Sequence, residues 1–135
     1  MDVGKAHRMY VELHCASAFS FLQGASLPET LVERAAALGY PALALLDADG
    51  VYGAPRFHKA AQQAGLHAII GAELTIQTRT DSAQLQTSNR KSPADHQSPI
   101  TNHKWSLPVL VESQEGYRNL CRLVTRMKMR ALTDG

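Results

Sequence analysis

The stretch that decides the fold is PALALLD, residues 41–47, a nearly continuous apolar run of strand length that ends in a carboxylate. Such a run is typical of a parallel strand that is covered on both faces. The preceding SLPETLVERAAALG, residues 26–39, has the pattern of a helix. Ser26 and Glu29 have the spacing of a capping box, and Gly39 supplies a left-handed stop. The sequence therefore predicts a helix followed by a buried strand.

The two predicted helices have recognisable ends and apolar faces. Pro28 lies in the first turn of the first helix, where a missing N–H costs nothing. The second helix should run from about residue 55 to 64 and end at Gly65. The predicted inward residues are Leu31, Ala35 and Leu38 in the first helix, and Phe57, Ala60, Ala61 and Ala64 in the second.

Residues 10–14 and 67–76 read as the first and third strands. A βαβαβ order implies a parallel sheet with right-handed crossovers, so the fold class is α/β. Chemistry in such sheets gathers at the carboxyl ends of the strands. His14, Asp47 and Glu73 lie at or near those ends, which makes them the candidate site residues.

The composition then changes to polar residues. The predicted divisions are an N-terminal extension (1–9), a βαβαβ unit (10–76), a flexible polar insertion (77–104) and a strand followed by a basic helix (105–135). The fourth strand is expected in SLPVLVES and the third helix at residues 114–132. Leu120, Val124, Met127 and Ala131 should form the buried stripe of that helix.

Four arginines repeat every four residues on another face of the third helix: Arg118, Arg122, Arg126 and Arg130. Like charges at this spacing repel one another slightly, and Glu115 is the only nearby acid. Three interpretations stay open: a solvated face, docking on an acidic part of a larger protein, or contact with phosphates.

The bulk composition limits the class of protein. The chain has 135 residues and 44% hydrophobic content, which suits one compact domain. A net charge of +2 is too small to identify a nucleic-acid binder by itself. Cys15 and Cys121 are far apart in sequence, which argues against a disulfide scaffold. The absence of a long apolar run and of an apolar N-terminal core predicts a cytoplasmic protein with no membrane partner.

Three stretches together resemble the N-terminal PHP (polymerase and histidinol phosphatase) domain of bacterial C-family DNA polymerases, the DNA polymerase III alpha subunits. They are YVELHCASAFSFLQGAS, LVERAAALGYPALALLDADGVYGAPRFHKAAQQAGLHAIIGAEL and LPVLVESQEGYRNLCRLV. Within that group the error-prone branch is most similar. The resemblance implies a distorted β/α barrel of which this chain is a part, and a role in DNA replication, repair and translesion synthesis.

The resemblance also implies where metal ligands would lie in active relatives, which hold a divalent metal cluster. The first family motif is H-x-H, and here it reads His14-Cys15-Ala16. A histidine commonly follows the aspartate of the second strand, but Ala48 follows Asp47 here. An acidic loop position is Gln23, while the glutamate of the third strand is kept as Glu73. His14 and Glu73 are therefore expected to be a vestige that holds no cofactor.

Three functions follow from these observations. The first is a non-catalytic PHP part that supports the architecture of an error-prone DNA polymerase, a nucleotidyltransferase. Its partners would be the remainder of the polymerase chain and, through it, DNA. The alternatives are a metal-dependent phosphoesterase and a stand-alone binding module that uses the face from Arg118 to Arg130. Cys15 could suggest a nucleophile, but a small buried thiol fits better because no third group orients a base.

Four strands and three helices do not close a barrel, so the final strand should leave an open parallel edge. We expect exposed apolar surface there and a tendency to self-associate.

Overall fold

The computed structural model describes residues 10–77 and 104–133, which form a four-stranded sheet with three helices. The elements, in chain order, are β1 (Glu12–Cys15), α1 (Pro28–Ala37), β2 (Ala42–Ala48), α2 (Ala54–Ala64), β3 (His67–Gln77), β4 (Lys104–Leu110) and α3 (Gln114–Thr133). The predicted order of elements is confirmed, with boundaries that shift by one to three residues. No helix in the described ranges is long and apolar enough to cross a membrane.

The sheet has the order β1-β2-β3-β4. β2 lies parallel to both β1 and β3, as the βαβαβ pattern predicts. β4 instead pairs antiparallel with β3, so the expectation of a parallel edge at the final strand is wrong. A parallel neighbour needs a crossover that packs on the sheet, usually a helix. The sequence between β3 and β4 is polar and offers no apolar stripe for such packing.

The main core lies between β2 and the two helices α1 and α2. Leu43, Leu45, Phe57 and Ala61 are buried there, and Phe57 is fully enclosed. Six of the seven residues of β2 are buried, which agrees with a strand covered on both faces. This burial anchors the end of β2, where Asp47 lies, in the most enclosed part of the described structure.

The capping box predicted for α1 is wrong. Leu27 is the N-cap residue, and no side chain makes a capping hydrogen bond. The Glu29 carboxylate instead accepts two bonds from the Arg56 guanidinium of α2, at 2.6 and 3.0 Å. The other end signals are confirmed: Pro28 is in the first turn, and Gly39 and Gly65 have φ of 72° and 67°.

Several predicted inward residues are exposed. Val32 rather than Leu38 completes the buried face of α1, because the helix ends at Ala37 and Leu38 is 50% exposed. Ala64 at the end of α2 and Ala131 near the end of α3 are also exposed. Leu38 is the C-cap residue of α1, and the two alanines lie in the last turn of their helices.

α3 packs on the sheet through a second, smaller core. Leu120 and Val124 are buried against Ala72 and Leu74 of β3, with Met127 half-buried beside them. Gln77 and Lys104, the two end residues of the predicted insertion, instead lie in β3 and β4 and pair with each other. Residues 78–103 and the predicted N-terminal extension, 1–9, lie outside the described residues.

Candidate functional site

The carboxyl ends of the parallel pairings bring together the two residues predicted as vestigial metal ligands. Glu73 lies where the pairing of β3 with β2 ends, and β3 itself continues to Gln77. The Nε2 atom of His14 lies 2.7 Å from Oε2 of Glu73, although 59 positions separate the residues in sequence. The side chains remain accessible, with 53% of His14 and 25% of Glu73 exposed. The parallel pairing of β1, β2 and β3 therefore brings an accessible imidazole and a carboxylate together.

A third residue completes this pair from the antiparallel strand. The hydroxyl of Ser106 in β4 donates a hydrogen bond to Oε1 of Glu73. This bond, together with the contact to His14, lowers the pKa of the Glu73 carboxyl because both favour its charged form. Each oxygen of Glu73 thus has its own partner within the protein.

A second carboxylate holds the backbone of β1 beside His14. Oε1 of Glu12 accepts a hydrogen bond of 2.9 Å from the backbone N–H of His14, and Oε2 accepts one of 2.6 Å from the Tyr10 hydroxyl. The Tyr10 bond is the main cause of a lowered pKa at Glu12, and it raises the pKa of Tyr10 in turn. These bonds fix the position from which the His14 imidazole reaches Glu73.

Asp47, the third candidate at a strand end, is in a different environment. Its side chain is 1% exposed, and the described structure gives both of its oxygens hydrogen-bond donors. Oδ1 accepts from the backbone N–H of Ser17 at 2.7 Å and from the Ser20 hydroxyl at 2.8 Å. The Ser17 hydroxyl lies 2.9 Å from each carboxylate oxygen. Asp47 therefore ties the loop after β1 to the end of β2.

The surroundings of Asp47 leave little room for a further group. The Ser20 hydroxyl also accepts a bond of 3.0 Å from the backbone N–H of Ala48. A Cβ placed on Gly53 would come within 2.8 Å of Oδ2 of Asp47, so only glycine fits at this close approach. The Asp47 carboxylate is therefore enclosed between the loop after β1, which donates hydrogen bonds to it, and Gly53 at the start of α2.

Cys15 follows His14 but does not resemble a nucleophile. Its side chain is half-buried and faces the main core. Burial raises the pKa of the thiol, with smaller contributions from Glu12 and Asp47. The thiolate, which is the reactive form, is therefore disfavoured, in agreement with the interpretation as a packed thiol.

The arginine face of α3, defined here as Arg118, Arg122 and Arg126, lies on the outer side of the molecule. All three side chains are exposed, and Arg130 is exposed as well. Arg122 makes one long hydrogen bond of 3.4 Å to Asn119. The face is remote in the sheet from His14, since α3 covers β3 and β4 on the side of Leu74 and Val109.

Comparison with known proteins decides the family. The profile of the PHP domain matches residues 12–135, which is nearly the whole chain. The chain belongs to the PHP domain family. The curled four-stranded sheet with its three helices is consistent with a partial PHP-type barrel, as expected from the sequence.

Curated relatives of this PHP domain are named error-prone DNA polymerases. The chain is 47% identical over 117 residues to one from Anaeromyxobacter sp. (strain K), with 87% of this chain and 9% of the relative covered. It is 46% identical over 113 residues to one from Mycobacterium bovis, with 84% and 9% covered. The chain therefore spans about a tenth of the length of the relatives that it matches.

A solved structure is similar to part of this chain. An amidohydrolase from Chromobacterium violaceum superposes with a TM-score of 0.47 and 31% sequence identity. The alignment covers 52% of this chain and 24% of the amidohydrolase.

The residues of this PHP domain do not fit the metal cluster that the resemblance implies. Ala16 and Ala48 carry no ligand atom at two of the positions concerned, and Gln23 is an exposed neutral amide in a turn. The Asp47 carboxylate already accepts hydrogen bonds from Ser17 and Ser20. Within residues 10–77 and 104–133, the structure brings together no group of three histidine, cysteine, aspartate or glutamate residues that could hold a metal ion.

Sequence reasoning missed the serines that complete both carboxylate clusters. Ser17 and Ser20 follow the first strand at a spacing of three, a pattern that can bind a carboxylate but also occurs in many turns. Ser106 is brought to Glu73 by the antiparallel pairing of β4, in which Glu73 lies opposite Pro108 and Thr75 opposite Ser106. No local signal in the sequence gives that register.

Proposed function

We propose that this chain is a non-catalytic PHP part of an error-prone DNA polymerase, in which it supports the architecture of the enzyme. The observation that carries the proposal is the match of 46–47% identity to error-prone DNA polymerases, of which this segment spans 9%. DNA synthesis across damage and DNA repair would be activities of the whole polymerase. The remainder of that polymerase, and DNA through it, would be the partners.

The chemistry at the strand ends supports a structural role. Asp47 accepts hydrogen bonds from Ser17 and Ser20, and each oxygen of Glu73 contacts one protein partner, His14 or Ser106. Alanines stand at two further positions where the resemblance implies ligands. Carboxylates bonded in this way stabilise the loop after β1 and the pairing of β3 with β4.

A chimera with a relative tests the proposal. The matched 117 residues of the Anaeromyxobacter polymerase are replaced by the corresponding residues of this chain, and primer extension on a damaged template is measured. A domain that serves as architecture should preserve most of the activity, because the fold and its packing surfaces are retained. The control lacks the segment and should be unstable or inactive.

A chimera that folds but extends no primer would contradict the proposal. So would a control without the segment that retains full stability and activity, because the segment would then support nothing.

A further inference from the structure

The positive charge of this protein is concentrated on one helix. α3 carries five basic residues and one acidic residue, a net charge of +4. The other 115 residues therefore carry nine basic and eleven acidic residues, a net charge of −2, which together give the +2 of the whole chain. A mildly basic protein thus has a strongly basic helix.

The arginine face points directly away from the core. At about 100° per residue, Arg118, Arg122 and Arg126 span an arc of about 80°. The buried residues Leu120 and Val124 lie about 160–200° from the centre of that arc. The three guanidinium groups are therefore offered to solvent, at intervals of about 6 Å along the helix axis.

The charges of this face have no acidic partner in the described part of the chain. The ion pairs found there join His14 to Glu73 and Arg56 to Glu29. Arg118, Arg122 and Arg126 take part in neither pair, and Arg122 reaches only the neutral side chain of Asn119. Repulsion between arginines at this spacing lowers the stability of the helix, and an external anion would reduce that repulsion.

We infer that the arginine face of α3 binds the phosphate backbone of double-stranded DNA. The choice of DNA as the polyanion rests on the proposed function. Guanidinium groups bind phosphate oxygens through paired N–H bonds, and duplex DNA offers one negative charge per about 1.7 Å of its axis. A row of arginines with this regular spacing suits a repeating phosphate backbone. The three arginines are exposed and have no buried aromatic anchor beside them among the described residues, and this setting suits phosphate binding better than a protein interface.

The test measures the salt dependence of DNA binding by this protein. A fluorescently labelled duplex of random sequence is titrated with the protein at salt concentrations from 25 to 150 mM, and anisotropy gives the binding constant. The variant is Arg118→Gln, Arg122→Gln, Arg126→Gln. The matched control removes the same charge elsewhere, as Arg34→Gln, Lys59→Gln, Lys104→Gln, since these residues are exposed on α1, α2 and β4.

The slope of log binding constant against log salt should become shallower by about 2.7 in the arginine variant, because each lost phosphate contact contributes about 0.9. The control should keep nearly the slope of the wild type. Circular dichroism should show the same helix content in all three proteins.

Two results would overturn the inference. One is an equal slope for the arginine variant and the control. The other is competition by polyglutamate as effective as that by unlabelled duplex, which would indicate an acidic protein partner. Neither result depends on polymerase activity. If the chimera fails but this protein still binds DNA through the three arginines, only the proposed function is contradicted.

Discussion

At the scale of single residues, Asp47 and Glu73 show how similar carboxylates at neighbouring strand ends can have different environments. Asp47 is enclosed by the loop after β1, whereas a quarter of the Glu73 side chain is exposed. The sequence identifies both positions, because each comes directly after a run of mainly apolar residues. It does not distinguish them, because the difference arises from Ser17, Ser20 and Ser106, which reach the carboxylates through tertiary contacts.

Ser20→Ala should destabilise the protein by about 1–3 kcal/mol, the cost of leaving buried polar groups without partners. The substitution removes a donor to Asp47 and the acceptor of the Ala48 N–H. Urea denaturation measures the change in the free energy of unfolding. An unchanged free energy of unfolding would mean that the Asp47 cluster does not hold the loop.

The lowered pKa of Glu73 predicts a pH dependence of stability. A carboxyl whose pKa is lower in the folded protein stabilises the fold above the unfolded pKa of about 4.3, and this contribution is lost as the pH falls through the folded value. Wild type should therefore melt at a higher temperature than Glu73→Gln at pH 6, and the difference should shrink below about pH 4.3. A difference that stays constant from pH 6 to pH 3 would contradict the assignment.

At the scale of elements, the sequence predicts what is local and misses what depends on distant partners. The apolar run of β2 and the stops at Gly39 and Gly65 are local properties, and they are confirmed. The capping box failed because Glu29 is engaged by Arg56, 27 positions away. The strand Lys104–Leu110 does not itself give the direction of β4, because it has the same alternation in both directions. The available signal was the polar sequence before it, which offers no crossover helix.

Ser26→Ala provides a direct test of how α1 begins. Because no side chain caps this helix, the substitution should change the free energy of unfolding by less than about 0.5 kcal/mol. A functioning capping serine would cost about 0.5–2 kcal/mol when replaced by alanine. Urea denaturation beside Ser20→Ala separates the two cases. A loss of more than about 1 kcal/mol in the free energy of unfolding would show that Ser26 does cap the helix.

At the scale of the whole molecule, the described sheet has apolar side chains at an outer strand. β4 pairs on one side with β3, and Trp105, Leu107 and Leu110 are each close to half exposed. Unpaired strand groups beside apolar side chains are a template for association with another chain. The arginine face opposes such association through repulsion between copies.

Raising the salt concentration should therefore promote self-association, because it screens the arginines more than it weakens apolar contact. Sedimentation at low and high salt measures the effect, and Trp105→Lys should reduce it. A monodisperse monomer at every salt concentration, with a cooperative melt at high temperature, would show that β4 is not a site of association.

The central claim is that the strand ends of this PHP domain form structural clusters and not a metal centre, and metal content tests it most directly. The protein is incubated with Zn²⁺ or Mn²⁺, dialysed against metal-free buffer and measured by mass spectrometry, beside His14→Ala. We expect far less than one ion per chain in both proteins, because His14 and Glu73 alone hold a divalent ion weakly. One ion per chain in the wild type, lost in His14→Ala, would contradict the claim.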